Sequence, residues 1–296
     1  MALSLNWFTE SAFGRALYSP FQAIIRGARR FAHPDVPNDH AVVRAKYGTH
    51  EFEIVVRRWN ASDRMAIDQC FTEAQYDVPA GAHGEHAAQL YRAILASGKT
   101  PLIVDCGANI GASVLWFSAR YPEAHIVAVE PAPDNFALLR RNCAGVNADL
   151  RCAGIGAQDG IARLSEKFGG EMGYRVSQHD GQHTNGVEVA VLSLETLMTG
   201  KPPSTYTPFL LKVDIEGAEK SLFTGPAAVL DQFPIIIMEP HDWMLPGQQT
   251  SVEFFRFHAA AGREFSMKNE NVVSIAHHPS LAHCTVTPPP ASPKPR

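Results

Sequence analysis

The sequence predicts an α/β protein built on a doubly wound, mostly parallel sheet, and three observations predict it. From Leu102 onward, short apolar strands alternate with helical segments: Leu102-Ile103-Val104, a helix from Gly111, Ile126-Val127-Ala128-Val129, a helix from Asp134, and a strand near Leu150. Strands that are apolar throughout belong to a sheet covered by helices on both faces. The first strand ends in Asp105 and a glycine-spaced turn, and the second ends in a further acid, Glu130. A chain of 296 residues with 45% hydrophobic content is ample for one such core with extensions.

Residues 1–35 carry Leu5, Phe8, Phe13, Leu17, Phe21, Ile24 and Ile25 at helical spacing, with Arg15, Arg26, Arg29 and Arg30 between them and a break near Pro20. This amphipathic arm suits docking on its own domain, on a second copy in a homo-oligomer, or peripherally on a membrane surface. An N-terminal extension follows over 36–99: a strand pair (Ala41 to Tyr47, Phe52 to Arg58), a helix from Asp63 through Ile67, Phe71 and Tyr76, and another from about Glu85 to Ala96. The main α/β domain is expected over 100–278. Its later strands are Val187 to Val191, Phe209 to Val213 and Ile235 to Met238, with the polar loop Ser177 to Gly186 inserted between main strands. Thr250-Ser251-Val252-Glu253 has capping-box spacing for a helix ending at Gly262, and Arg263 to Met267 with Asn271 to Ile275 read as a closing antiparallel edge hairpin. The proline-rich stretch 279–296 reads as a disordered tail.

Composition excludes several classes. A net charge of −4 without a dense Lys/Arg run argues against nucleic acid as partner. The five cysteines are odd in number, scattered and never C-x-x-C, which suits a reducing cytoplasm rather than a disulfide framework. No apolar run approaches the roughly twenty residues of a transmembrane helix, and the start lacks a secretory pattern, so a cytoplasmic location is expected.

The informative segment is Val104-Asp105-Cys106-Gly107-Ala108-Asn109-Ile110-Gly111. A dinucleotide turn needs G-x-G-x-x-G, whose second glycine admits the pyrophosphate. Here Asn109 takes that place, so a ligand without phosphates fits better and a nicotinamide enzyme is disfavoured. Glu130, 19 residues after Gly111, stands where an acid accepts hydrogen bonds from ribose hydroxyls. S-adenosylmethionine has that ribose, no phosphate and a cationic methionine end, which Asp105 would favour while Gly107 to Gly111 pass beneath it. Gly98-Lys99-Thr100 resembles the end of a P-loop, but Ala93 replaces its first glycine and a strand follows.

These residues resemble the FkbM-type methyltransferases, a group of class I S-adenosylmethionine-dependent enzymes. The likeness rests on Asp105 to Gly111, on Val129-Glu130-Pro131, on Leu211-Lys212-Val213-Asp214-Ile215-Glu216-Gly217-Ala218-Glu219, and on Ile237-Met238-Glu239 with His241; it runs from about Asp63 to Ile275. The resemblance implies a Rossmann-like seven-stranded sheet and methyl transfer to oxygen on sugars, glycans or natural products.

At the second site, Asp214, Glu216 and Glu239 to Asp242 should face the same crevice as Glu130, because ligands lie over the carboxyl ends of the strands. Asp214 and His241 are the candidate bases for a hydroxyl acceptor, with Glu216 and Glu239 supporting. The alternative for Asp214 and Glu216 is helix capping, and for His241 an ordinary loop histidine. Lys212 is expected to pair with a carboxylate. Tyr76 either lies over the methionine end of the cofactor or is a packed aromatic. Magnesium held by Asp214, Glu239 and His241 would polarise the acceptor, but the spacing does not demand it and no metal ligands are assigned. His83-Gly84-Glu85-His86 lacks H-E-x-x-H order and reads as the start of a helix. Two other functions stay open: a non-catalytic S-adenosylmethionine-binding regulator, and an N-methyltransferase, disfavoured because no Pro-Pro-aromatic follows Asp214.

Overall fold

A computed structural model describes residues 37–166, 174–177 and 187–277. The N-terminal arm, the 178–186 loop and the proline-rich tail lie outside the described residues.

The main sheet has seven strands. In chain order its parallel members are β3 (Thr100–Cys106), β4 (His125–Val129), β5 (Ala148–Arg151), β10 (Tyr206–Val213) and β11 (Ile235–Met238), and the closing hairpin is β12 (Glu264–Lys268) and β13 (Asn271–Ile275). Their spatial order is β12-β13-β11-β10-β3-β4-β5. The chain winds outward from β3 to β5, then returns to β10 on the other side of β3, so the switch point lies between β3 and β10. β13 pairs antiparallel with β11, and the outermost strand is β12.

Strand alternation decides which helices meet which residues. Leu102, Val104, Cys106, Leu211 and Val213 enter one core cluster, whereas Ile103 and Leu210 enter the other, which contains the N-terminal extension. Asp105 and Lys212 share the phase of Ile103 and Leu210, and they are paired in register. Both therefore point to the extension's side of the sheet.

The extension is packed into that core. Hairpin β1 (His40–Tyr47) and β2 (His50–Arg57) is followed by α1 (Ala61–Phe71) and α2 (Ala82–Ala96). Ile54 and Val56 are fully buried in the same cluster as Ile103 and Trp116, and Tyr47 meets Trp116 edge to face at 5.5 Å. The Asn142 side chain accepts from Val55 N at 2.8 Å and donates to Ile110 O at 2.8 Å. This one amide joins the hairpin to the glycine turn.

Three expectations are corrected. Val187 to Val191 is not in the main sheet: β9 (Val187–Leu192) belongs to a four-stranded sheet with β6 (Gly154–Ile155), β7 (Gly160–Glu166) and β8 (Tyr174–Ser177). Its alternation of exposed and buried residues, with Val187 59% exposed, is that of a strand with one wet face. Tyr76 is not helical, because α1 ends at Phe71 and Ala74 turns to φ 48°. The capping box does not form: Ser251 precedes the last helix (Val252–Ala260) without a side-chain cap, its hydroxyl hydrogen-bonded instead to Asp242.

Truncating a buried aliphatic costs about 2–5 kcal/mol. Ile54→Ala should lower the unfolding free energy of the whole chain by that amount, read as a lower denaturant midpoint in a single transition. An early, separate loss of the hairpin would show that the extension folds apart from the sheet.

Candidate active site

The turn after β3 is held by backbone and carboxylate together. Gly107 (φ 86°) and Gly111 (φ 94°) lie in the left-handed region, and a Cβ on Gly107 would come within 1.8 Å of the Asp214 carbonyl oxygen. Only glycine lets the turn approach the end of β10 so closely. A Cβ on Gly111 would strike Cys143 Sγ at 2.7 Å, so this glycine allows the helix from Ala112 to pack on the next one, from Pro133. Asn109 also has positive φ, 49°, and its backbone N–H donates to Glu130 Oε2 at 2.9 Å.

Glu130 is buried and braced from three sides. Besides Asn109, it accepts from Ala132 N at 2.9 Å and Asn135 Nδ2 at 3.3 Å. Burial raises its pKa to about 7, against the lowering effect of these three donors. Asn135 Oδ1 in turn accepts from Arg57, which is paired with fully buried Asp63. The extension thus reaches Glu130 through Arg57 and Asn135, neither of which the sequence singled out.

At the centre stands Lys212, 1% exposed. Its ammonium donates to Gly107 O at 2.6 Å, lies 3.1 Å from Asp105 Oδ1 and 3.5 Å from Asp214 Oδ2, and sits 4.9 Å over the Tyr76 ring. Burial alone would lower its pKa, but the Asp105 and Asp214 charges outweigh burial and hold it above the usual range. Asp105 also accepts from Ser113 Oγ at 2.6 Å. Asp105 is therefore committed to the frame beneath the turn.

Asp214 follows β10, partly exposed. It accepts from Tyr76 OH at 2.9 Å and lies 3.6 Å from His241 Nε2. Burial would raise its pKa, yet Lys212, His241 and the Tyr76 hydroxyl together depress it, so it is ionised. Neither Asp214 nor Glu216 caps a helix: the next one, Glu219–Phe223, begins beyond Ala218 without a side-chain cap. Glu216 is held at φ 56°, a conformation that costs a β-carbon-bearing residue about 1–2 kcal/mol.

His241 is no ordinary loop histidine. It is buried, its Nδ1 is 2.7 Å from Glu219 Oε1, and its Nε2 is 3.6 Å from both Asp214 and Glu239. Burial would lower its pKa, but the Glu219 hydrogen bond and the Asp214 charge raise it to about 9. Glu239, buried beside Asp214, is pushed up to about 9 by desolvation and by that neighbour, and it accepts from Gln75 Nε2 at 3.2 Å. The surroundings therefore favour the charged form of His241 and of Asp214 and the neutral form of Glu239. Glu219, Gln75, Arg57 and Asn135 are residues that sequence reasoning missed. For Glu219 the signal was present, as the last acid of the Lys212 to Glu219 motif.

Among the described residues, Asp214, Glu216 and His241 each offer a ligand atom within 4.8 Å of the others. An open hollow of about 580 Å³ lined by Asp159, Ser193 and Thr224 shares no residue with this crevice.

A glycine turn and an acidic cluster stand on adjacent strand ends of a doubly wound sheet, where ligands of open α/β domains lie. The model of the methyltransferase FkbM domain matches residues 105–265, just over half of the chain, which belongs to that family. Methyltransferase 1 of Beauveria bassiana (strain ARSEF 2860) is 32% identical over 145 residues, 42% of this chain and 57% of that protein. Methyltransferase sdnD of Sordaria araneosa is 31% identical over 159 residues, 43% of this chain and 61% of that protein. The matches thus span about three fifths of each relative's length. A solved methyltransferase from Geobacter sulfurreducens aligns over 86% of this chain and 96% of its own at 14% identity, with a TM-score of 0.31, too low to bear on function.

The raised His241 pKa has a sign. The stabilisation it contributes is complete below its unfolded value near 6.5 and is lost as pH rises towards about 9. By NMR the His241 ring should titrate near pH 9, and in Glu219→Gln its midpoint should fall towards 6.5. An unmoved midpoint would remove Glu219 as its partner.

Proposed function

We propose that the chain is an S-adenosylmethionine-dependent O-methyltransferase that acts on a hydroxyl of a sugar, glycan or other small molecule in the cytoplasm. One observation carries this reading: the glycine turn and the acidic cluster are a single backbone hydrogen bond apart, Asp214 N donating to Cys106 O at 3.1 Å. Donor and acceptor sites are adjacent at the switch point, and alignment of two reactants contributes about 7–11 kcal/mol in favourable cases.

The residues fit the cofactor. Asn109 Oδ1 is a buried acceptor without a hydrogen-bond partner among the described residues, and Glu130 keeps lone-pair capacity for ribose hydroxyls beyond its three N–H donors. When bound, S-adenosylmethionine supplies a methyl group on a sulfonium that is already a good leaving group. Gly107 to Gly111 would lie beneath it, with Asp105 and Lys212 fixing that turn. Asp214, ionised and aimed by Tyr76 and Lys212, would take the acceptor's hydroxyl proton. His241 as an imidazolium orients Asp214 rather than acting as the base, and Glu239 in its protonated form can donate to an acceptor oxygen. Trp243, 68% exposed and two residues past His241, offers an aromatic face to a ring-shaped acceptor.

Glu130→Ala should weaken S-adenosylmethionine binding at least about tenfold by calorimetry, the loss expected for a charged hydrogen bond. Asp214→Asn should leave that affinity intact and reduce kcat by about 10²- to 10⁴-fold with the true acceptor. Normal turnover in Asp214→Asn would move the base elsewhere.

A second reading is favoured by the Asp214, Glu216 and His241 convergence: a magnesium-class ion there would polarise the acceptor, with Glu219 fixing the ring as an outer partner. Glu239 gives way to Glu216 in this ligand set. Chelation should then abolish turnover, and added magnesium, not zinc, should restore it. Full activity in excess chelator would eliminate this version.

A further inference from the structure

The segment His83-Gly84-Glu85-His86 has no metal-ligand order by itself, and the structure makes it the first turn of α2. The fold adds two groups from far along the chain. Glu264 opens β12, and His277 lies two residues beyond β13. His83 Nε2 and His277 Nε2 each lie 3.1 Å from the same oxygen, Glu264 Oε2, and the three atoms are all within 4.8 Å of one another.

We propose that His83, Glu264 and His277 bind one zinc-class divalent ion, which staples α2 to the closing hairpin. Donors at about 2.0–2.1 Å from a tetrahedral ion are about 3.3 Å apart, close to the two measured separations. Two imidazoles and one carboxylate suit zinc and leave a fourth position for water. The rings are already positioned: His277 stacks on His86 with centroids 4.6 Å apart, and His86 Nε2 is 3.4 Å from Ala276 O.

The site is separate from the crevice. Ile275, two residues before His277, pairs with Ile235 at the start of β11, whereas Met238, which leads to Glu239, pairs with Val272 at the other end. The ion would join segments 181 and 13 residues apart, and by binding only the folded chain it would stabilise it.

The test uses the full chain, free of any affinity tag and stripped of metal, titrated with Zn(II) by calorimetry and with Co(II) by visible absorption. One equivalent of zinc should bind, raise the melting temperature and, as cobalt, give tetrahedral bands. His277→Ala and Glu264→Gln should each lower the affinity at least about tenfold, with metal-free melting unchanged because these side chains are exposed or nearly so. Asp214→Asn should retain the equivalent. No stoichiometric zinc, equal binding by the His277 and Glu264 variants, or loss confined to Asp214→Asn would overturn the proposal.

Discussion

A buried ammonium holds the switch point of this sheet together. Lys212 is almost fully enclosed, and its charge is answered by Asp105, Asp214 and the Gly107 carbonyl, contributed by the two strands that part there. Removing one partner of such a group leaves an uncompensated buried charge, a loss of about 3–5 kcal/mol. The glycine turn, the end of β10 and the Asp214 carboxylate therefore form one unit. Their relative positions are fixed by this chain's own contacts.

The N-terminal extension completes that unit from above. Tyr76 covers Lys212 and donates to Asp214, Gln75 donates to Glu239, and Arg57 supports Glu130 through Asn135. Four side chains that define the crevice thus depend on residues preceding the sheet. The backbone between α1 and α2 leaves the helical region at Ala74, and this turn brings Gln75 and Tyr76 over the strand ends.

Charge is distributed so that neighbours differ in protonation. His241 is held as a cation by Glu219 and Asp214, Asp214 as an anion by Lys212 and His241, and Glu239 as a neutral acid by burial beside Asp214. His241 lies 3.6 Å from each of the two carboxylates, so the three groups set one another's charge. Their common cause is low solvent access, which penalises every unpaired charge and rewards each paired one.

Much was legible in the sequence by itself. Apolar runs marked β3, β4, β10 and β11, broken in β10 by Lys212, because a strand buried on both faces carries few polar residues. Glycines at 107 and 111 and the acid at 130 marked the tight turn after β3, because positive φ and close backbone approach restrict residue types to a few. What the tertiary structure decided were the partners of charged groups: Glu219 for His241, Gln75 for Glu239, Tyr76 for Asp214, and β9's place outside the main sheet. Periodicity reports which face of an element is buried, whereas a hydrogen bond across 164 residues, such as that from Gln75 to Glu239, exists only once packing has brought both ends together.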